Sequence, residues 1–384
     1  MGYMSTKQQL GQFFTKNTGY ILSGLENYVA GKQIIDPFAG AGDLLDWALQ
    51  NGAESILGLD IDKKWEDNKR VFYNDSLTSP KNYHFVLTNP PYLYQNKMQD
   101  NSLLVNSKHT DLYQLSLEKI ESSEEGIVIV PVNFLSSENA RYIRKSFLDK
   151  FEIVQCNYFT EQVFADTTYN VIAFYYRQKK KPSQNMVMDF RIFPENRKTK
   201  IEVFRKFNWQ IGGEFLAEIK RYENKLRIAR LEEDDLQSGK HRIRAAYNHL
   251  DTVKEFHVSG EVLQLIKRNI ILLKAIDTGT MEGKICLEDI RKYGLDALVS
   301  IKTSRNQISL VFPDEVTVAE QEQLIELFNR ELETQRQKYY SLFMTNFRDN
   351  DRKRISFNFA YHLINYLYYS KIKTDYAQTK SALF

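Results

Sequence analysis

Short apolar runs alternate with helical spacings along the first half of the chain. The runs that predict β-strands are residues 33–36, 55–60, 85–89, 126–131, 151–159 and 170–177. Residues 111–122 and 137–149 have the apolar spacing of helices that pack on a sheet. This alternation predicts an α/β fold with a doubly wound, mostly parallel sheet. A short connection joins the last two strands, so we expect one of them to run antiparallel in an edge hairpin.

The second half of the chain has a different pattern. Its composition changes at Arg177, and residues 179–183 (Lys-Lys-Lys-Pro-Ser) have the character of a linker. Residues 316–340 have helical spacing, and residues 355–369 form an aromatic-rich run of the kind found more often in a core than on a base-stacking surface. We therefore predict two domains, residues 1–180 and residues 181–384.

The most informative motif follows the third predicted strand. Asn89-Pro90-Pro91-Tyr92 comes directly after the apolar run at residues 85–88, and open parallel sheets bind ligands at this carboxyl edge. The Asn89 side-chain oxygen and the Pro90 carbonyl can each accept a hydrogen bond from an exocyclic amine, which concentrates the lone pair on its nitrogen. The ring of Tyr92 can stack on a base. For so short a motif the alternative is a strand exit, in which the prolines end pairing and the tyrosine packs.

Acidic residues follow the first predicted strands in order. Asp36 ends the first strand before the small-residue turn at residues 37–42, Asp60 ends the second strand, and Asp75 lies in the next loop. The turn lacks the dinucleotide pattern, and a carboxylate at Asp36 suits a ligand with an amino group better than a pyrophosphate. An acid at the end of the second strand commonly binds ribose hydroxyls. Each carboxylate alone could be a helix cap or a solvated loop residue, but together they outline a nucleoside pocket.

These motifs in this order resemble the gamma group of N6-adenine DNA methyltransferases, the TaqI methyltransferase-like enzymes of type II restriction-modification systems. The group places a cofactor-capping motif first, then the glycine-rich loop, the Asn-Pro-Pro-Tyr motif and a target recognition domain. The matching segments are Gly11–Lys16, Asp36–Gly42, Asn89–Tyr92, Gly126–Leu135 and Gln162–Phe164. Many relatives have proline where this chain has Lys16, which is a departure in the N-terminal motif.

The resemblance implies a class I S-adenosylmethionine-dependent methyltransferase fold, Rossmann-like, followed by a C-terminal DNA recognition domain. It also implies S-adenosyl-L-methionine as the cofactor. The cofactor-binding residues that it implies are Thr15 at the methionine end, Asp36 at the amino group, Phe38 and Gly40 in the turn, Asp60 at the ribose and Asp75 at the adenine.

In the gamma group the target adenine is flipped out of the duplex and held between two aromatic side chains. By the resemblance Tyr92 is one of them, and Phe164 is the expected second, with Tyr169 as the alternative. The implied reaction is direct methyl transfer to N6, with Asn89 and Pro90 orienting the amine. It uses no cysteine nucleophile, because no carbon of the base is attacked.

Positive charge is concentrated where the second predicted domain begins. Residues 177–206 contain ten basic and three acidic residues, whereas the whole chain carries a net charge of +3. Phosphate contact by double-stranded DNA requires such a cluster, although a solvated surface strand pair would have the same composition. Residues 239–244 also look like a basic loop that could reach a groove. The candidate DNA-binding residues are Lys180, Arg197, Lys240, Arg242 and Arg244.

Several other possibilities remain open at this point. The same motifs occur in RNA adenine methyltransferases and in protein glutamine methyltransferases, cytosine N4 is a possible acceptor, and the chain could be an inactive specificity module. The sequence has no metal-ligand spacing, no signal pattern and no long apolar span, from which we expect no metal, no membrane association and a cytoplasmic protein. We expect a monomer and, by the family, a cognate restriction endonuclease that acts independently. The polar residues between Tyr92 and Asp111 suggest a loop that could close over DNA.

Overall fold

The computed structural model describes residues 15–105, 107–164, 169–276, 285–313, 316–344, 346–348 and 352–373. The chain forms two compact units. The first comprises Met1–Gly213 and Phe347–Asp351, and the second comprises Glu214–Asn346 and Arg352–Phe384.

The first unit is an α/β structure. Its strands are β1 (Gln33–Asp36), β2 (Ser55–Asp60), β3 (Val71–Tyr73), β4 (Phe85–Thr88), β5 (Glu125–Pro131), β6 (Phe151–Phe159), β7 (Val171–Gln178), β8 (Asn185–Phe193) and β9 (Arg197–Phe204). Its helices are α1 (Thr18–Ile21), α2 (Asp43–Gln50), α3 (Ser102–Val105), α4 (Leu112–Lys119), α5 (Asn133–Ser136) and α6 (Arg141–Lys150). All six predicted strands and both predicted helices are present, with ends shifted by a few residues.

The nine strands form one sheet in the order β3-β2-β1-β4-β5-β7-β6-β8-β9. The first five in this order are parallel to one another, and β7 runs antiparallel between β5 and β6. The predicted α/β class and mostly parallel sheet are therefore confirmed, as is the antiparallel pairing of the last two predicted strands. That pair is not at the edge, because β8 pairs with β6 on its other side. All four residues of β4 are buried, which explains its unbroken apolar run.

The first unit extends beyond the predicted boundary at residue 180. Residues 179–183 connect β7 to β8 within the first unit. Strand β8 pairs with β6 in the same sheet, and β9 pairs antiparallel with β8. The chain after β9 is also fixed to this unit, because the fully buried Trp209 donates its indole N–H to Asp149 at 2.8 Å. The structure thus moves the boundary to Gly213, and Lys180 and Arg197 belong to the first unit.

The second unit contains mixed secondary structure. Its strands are β10 (Ala229–Arg230), β11 (Ser238–Tyr247), β12 (His249–Val258), β13 (Ile271–Lys274), β14 (Cys286–Asp289), β15 (Ala297–Val299) and β16 (Gln307–Val311), and the short strands β17 (Asn346–Arg348) and β18 (Arg352–Arg354) lie near its boundary. Its helices are α7 (Gly213–Lys220), α8 (Gly260–Arg268), α9 (Val318–Tyr339) and α10 (Phe357–Leu367). One sheet has the order β10-β16-β13-β14 and another the order β12-β11-β15.

Two sequence expectations for the second unit are confirmed. The helical spacing at residues 316–340 corresponds to α9, which begins with a capping box between Thr317 and Glu320. The aromatic-rich run is largely α10, and its Phe359, Leu363 and Ile364 side chains are buried. This run is therefore mainly core. Within the described ranges, none of the helices is long and apolar enough to cross a membrane.

Candidate active site

A cavity of about 370 Å³ lies at the carboxyl edge of the parallel strands. Strands β1 and β2 end at Asp36 and Asp60, and Asn89 directly follows β4. Because parallel strands present their carboxyl ends on one edge, residues far apart in sequence meet there. The cavity lining includes all the predicted cofactor residues together with the predicted catalytic amide: Thr15, Asp36, Phe38, Gly40, Asp60, Asp75 and Asn89.

Asp36 is a buried carboxyl with two hydrogen-bond donors. Its Oδ1 accepts a hydrogen bond from the Thr88 hydroxyl at 2.6 Å and from the Phe38 amide at 3.0 Å. Burial raises the pKa of Asp36 to about 7, against the opposing effect of these donors. The nearby Asp60 carboxylate adds to the rise in the pKa of Asp36. The site therefore favours a positively charged ligand group, which would stabilise the carboxylate.

Asp60 holds the glycine-rich turn in place. One carboxylate oxygen accepts from the Gly40 amide at 2.8 Å and the other from the Asp62 amide at 2.7 Å. Burial raises the pKa of Asp60, although both backbone donors act in the opposite direction. Each oxygen has a further lone pair available in the geometry of a carboxylate. Asp60 can therefore both fix the turn and accept hydrogen bonds from a ligand.

The turn also depends on close packing against β2. A Cβ atom added at Gly58 would lie 2.7 Å from the Ala39 Cβ and 2.9 Å from Leu45 Cδ1. At the other end of the turn, Gly42 has φ of 87°, a left-handed conformation that glycine adopts without strain. The sequence indicates the role of the glycines in the turn. Gly58 lies outside the motifs, so its role in packing was not predicted.

Asp75 lies on the side of the cavity that also has apolar residues. Its carboxylate accepts from the Thr78 hydroxyl at 2.7 Å and from the Leu77 amide at 3.0 Å. The side chains of Ile61, Leu77 and Leu112 contribute apolar lining. A carboxylate beside apolar surface matches a heterocycle that carries an amine.

The Asn89 amide is fixed by two neighbours. Its Nδ2 donates to the Thr15 hydroxyl at 3.0 Å, and its Oδ1 accepts a hydrogen bond from the Tyr92 hydroxyl. The Tyr92 hydroxyl also lies 2.7 Å from the Ile129 carbonyl on β5. These two hydrogen bonds place the amide oxygen of Asn89 on the side away from Thr15. Residues 11–14 of the N-terminal motif lie outside the described residues, so Thr15 and Lys16 are its described part.

The predicted aromatic residues do not line the cavity. Tyr92 is 2% exposed and Phe164 is 3% exposed, whereas the alternative, Tyr169, is half-buried. The Tyr92 ring packs edge-on against Tyr113 at 6.4 Å between centroids. Stacking of Tyr92 or Phe164 on a base would therefore require these rings to become uncovered. Pro91, rather than Tyr92, completes the lining next to Asn89.

The segment after the Asn-Pro-Pro-Tyr motif contributes residues that the sequence did not indicate. Met98, Gln99, Asp100 and Leu103 line the cavity. Leu104, with Leu93, Leu112 and Leu115, forms a small buried cluster against which Met98 packs. This segment was expected as a loop that could close over DNA, but here it forms one wall of the cavity. Only its apolar Met98, Leu103 and Leu104, spaced among polar residues, could have signalled this.

The candidate DNA-binding residues are distributed over both units. Lys180 is exposed in the turn after β7, and Arg197 is exposed at the start of β9. Residues 239–244 form part of strand β11, not the predicted loop: residues 241–244 pair with β12, and Gly239 and Lys240 lie in an irregularity of the pairing between Ser238 and His241. Arg242 and Arg244 alternate with the buried Ile243 and Ala245, and both are exposed on one face of this strand, as is Lys240 near its start.

The arginines on the exposed face of β11 contact other groups of the second unit. The Arg242 guanidinium contacts Glu255 on β12, and the Arg244 guanidinium donates to the Gly294 carbonyl at 3.3 Å.

Within the described residues, no group of three or more histidine, cysteine, aspartate or glutamate side chains is arranged to hold a metal ion.

Comparison with known proteins gives one family match, which lies within the first unit. Residues 42–164 match the model of the Eco57I restriction-modification methylase family. No curated protein sequence gives a significant match. The matched family is one of restriction-modification methylases, and the cofactor that methylases of this family use is S-adenosylmethionine.

Solved structures give distant likenesses. One, described as the modification subunit of a type I restriction enzyme from Vibrio vulnificus, has 20% identity and a TM-score of 0.40, covering 49% of each chain. A type I restriction-modification methyltransferase subunit from Streptococcus thermophilus has 15% identity and a TM-score of 0.34, covering 49% of this chain and 46% of its own. The type IIG restriction endonuclease BpuSI has 11% identity and a TM-score of 0.42, covering 94% of this chain and 58% of its own. At these TM-scores, nothing about function follows from the likenesses.

Proposed function

We propose that this protein transfers a methyl group from S-adenosylmethionine to N6 of an adenine flipped out of double-stranded DNA. The observation that carries the proposal is the position of Asn89 in the same cavity as Asp36, Asp60 and Asp75. An amide that can accept from an amine thus adjoins three carboxylates that suit the amino group, ribose and adenine of the cofactor. The match to a restriction-modification methylase family supports DNA as the substrate.

The residues fit the cofactor by their chemistry. The buried Asp36 carboxyl, whose pKa is raised to about 7 by burial, gains most from a cationic partner, which the ammonium group of the cofactor provides. Asp60 accepts from the ribose hydroxyls and Asp75 from the adenine amine. The Thr15 hydroxyl, 3.0 Å from the Asn89 amide nitrogen, adjoins the methionine end. When bound, S-adenosylmethionine supplies an electrophilic methyl group on a sulfonium sulfur.

Asn89 and Pro90 act on the target amine. The Asn89 Oδ1 and the Pro90 carbonyl each accept one N6–H bond, so that positive charge developing on nitrogen is stabilised as the N–C bond forms. The bound cofactor would supply the methyl group, with its sulfur as the leaving group that keeps the electron pair, and the methylated nitrogen would lose one proton to water. As Oδ1 takes up the amine, the Tyr92 hydroxyl can donate to the Ile129 carbonyl instead, at 2.7 Å. We propose Tyr92 and Phe164, or Tyr169 as the alternative to Phe164, as the aromatic partners of the base.

The basic residues supply the DNA contacts in this proposal. Lys240, Arg242 and Arg244 share the exposed face of β11, and Lys180 and Arg197 are exposed on the first unit. Strand β15 pairs only with residues 245–247 of β11, so the rest of the β11–β12 pair is a two-stranded ribbon, whose dimensions fit a major groove. The biological role would be the modification half of a restriction-modification system, with the chain acting as a monomer and the endonuclease acting independently.

The test is incubation with methyl-labelled S-adenosylmethionine and mixed duplex DNA, followed by nucleoside mass spectrometry. We expect N6-methyladenine in the DNA, formed about 100- to 1000-fold more slowly by the Asn89→Ala variant. N4-methylcytosine would correct the acceptor base. Label in structured RNA or in glutamine side chains, but not in DNA, would refute the proposal in favour of those substrates. Cofactor binding without transfer to any of them would indicate an inactive specificity module.

A further inference from the structure

Asp111 joins two segments that are separated by eighteen residues along the chain. Its Oδ1 accepts a hydrogen bond from the Leu93 amide at 3.1 Å and another from the Tyr113 amide at 3.3 Å. Leu93 directly follows the Asn-Pro-Pro-Tyr motif, and Tyr113 is in the first turn of α4. One carboxylate oxygen therefore caps the helix and ties the motif to it.

Backbone hydrogen bonds complete this connection. The Leu112 amide donates to the Leu93 carbonyl at 3.1 Å, and the Gln95 amide donates to the Thr110 carbonyl at 3.0 Å. With the side-chain bond of Asp111, both polar backbone groups of Leu93 are engaged by residues 111 and 112. The exit of the motif is thus fixed to the start of α4.

Tyr92 is restrained by the same arrangement. Its ring packs edge-on against Tyr113 of α4, and its hydroxyl reaches the Ile129 carbonyl at 2.7 Å and the Asn89 oxygen. A displacement of Leu93 would be passed to Tyr92, its neighbour in the chain. A displaced Tyr92 would in turn move the amide oxygen of Asn89, which its hydroxyl contacts.

We infer that Asp111 is a positioning residue for methyl transfer, which sets the place of the Asn89 oxygen through Leu93 and Tyr92. This inference rests on the proposed function. Methyl transfer requires the reacting atoms to be aligned in contact, and misplacement by about 1 Å can cost about a hundredfold in rate. Asp111 touches no substrate in this role.

The length of the Asp111 side chain, rather than its charge, supports the inference. Loss of hydration raises the pKa of Asp111 to about 7, although backbone donors oppose the shift. A helix cap alone does not require a side chain of this length, since serine caps helices about as well as asparagine and aspartate do. Among these, the carboxyl and amide side chains have the length to reach both amides from residue 111.

A comparison of the wild type with two variants separates the two roles of Asp111, which are to cap α4 and to bind the Leu93 amide. Asp111→Ser retains an N-cap for α4 but is too short to reach the Leu93 amide, whereas Asp111→Asn retains both bonds. We expect Asp111→Ser to lower kcat about 10- to 100-fold, with cofactor Kd and melting temperature close to those of the wild type. Asp111→Asn should remain within a few-fold of the wild-type kcat.

The outcomes that contradict the inference are distinct. Full activity of Asp111→Ser would show that the link to Leu93 does not matter, and equal losses in Asp111→Ser and Asp111→Asn would show that the negative charge matters instead. Loss of thermal stability and cofactor binding together with kcat in Asp111→Ser, but not in Asp111→Asn, would indicate a purely structural role. An inactive wild type on DNA would instead refute the proposed function itself.

Discussion

The side-chain amide of Asn89 donates to the Thr15 hydroxyl, with 3.0 Å between Nδ2 and Oγ1. This bond joins the N-terminal segment to the residue after β4, and it leaves the amide oxygen free to face the Tyr92 hydroxyl. An amide that rotated by half a turn would present its N–H groups to the target amine and repel it. Thr15 therefore orients the amide besides any contact with the cofactor.

Substitution of Thr15 tests this orientation. Thr15→Val removes the acceptor at nearly constant volume, and we expect kcat at saturating cofactor to fall about fivefold, since a hydrogen bond of this kind contributes about 1 kcal/mol. Thr15→Ser keeps the hydroxyl and serves as the matched control, with kcat near that of the wild type. A change in cofactor Kd alone, with kcat unchanged in Thr15→Val, would show that Thr15 acts only on the cofactor.

Asn89 itself should affect chemistry more than binding. Asn89→Ala removes one acceptor for the developing positive charge, for which we expect turnover to fall about 100- to 1000-fold. Cofactor Kd, measured by calorimetry, should stay within about twofold, because none of the cofactor groups assigned above is bound by this amide. Equal losses of turnover and cofactor binding would argue that the substitution disrupts the fold of the cavity.

Asp36 should make cofactor binding depend on pH. Its pKa is raised to about 7 by burial, and the carboxylate form is the one that binds an ammonium group. Affinity for S-adenosylmethionine should therefore rise about fivefold between about pH 6 and pH 7, as the proportion of carboxylate increases. Calorimetry over this range should show the rise for the wild type and a weak, level affinity for Asp36→Asn. A level profile for the wild type would contradict the assignment of Asp36.

The same group predicts the opposite trend for the unliganded protein. Because the pKa of Asp36 is higher in the folded state than in the unfolded chain, the folded state binds more protons between about pH 4 and pH 7. This contribution to the free energy of unfolding is greatest at the acid end and falls as the pH rises. Urea unfolding of the wild type and Asp36→Asn should show a difference that changes with pH in this direction.

Gly58 tests the packing beneath the glycine-rich turn. Gly58→Ala would place a Cβ 2.7 Å from the Ala39 Cβ and 3.0 Å from Val71 Cγ2, so we expect a loss of about 1–3 kcal/mol in the free energy of unfolding. Weaker cofactor binding should accompany it, because Ala39 belongs to the turn. Gly19→Ala is the control, since nothing lies within 4 Å of an added Cβ there. Unchanged stability of Gly58→Ala would mean that the turn and β2 adjust freely.

The exposed face of β11 predicts a salt dependence of DNA binding. Alanine at Lys240, Arg242 or Arg244 should weaken binding and lower the slope of log affinity against log salt by about 1 per residue. Lys302→Ala is a control in the same unit, because Lys302 is a basic residue that lies outside the β11–β12 pair. If log affinity against log salt has the same slope in all the variants as in the wild type, this face of β11 does not contact DNA.

Local pattern determined the strands and the carboxyl-edge residues of this protein. Buried runs such as β4 and β5 are nearly continuous in apolar residues, and side chains that end parallel strands must meet at one edge, so the positions of Asp36, Asp60 and Asn89 followed from the sequence. Strand β3, only three residues long, gave no such signal.

Tertiary structure decided the features that depend on partners distant in sequence. The period of a strand does not name its neighbours, so neither the insertion of β7 between β5 and β6 nor the continuation of the sheet by β8 and β9 could be read locally. The same holds for β11, whose alternating basic residues look like a loop until β12 pairs with them. The bonds from Asn89 to Thr15 and from Asp111 to Leu93, and the burial of Tyr92, arise only when the folded chain brings these groups within hydrogen-bond distance and excludes water from between them.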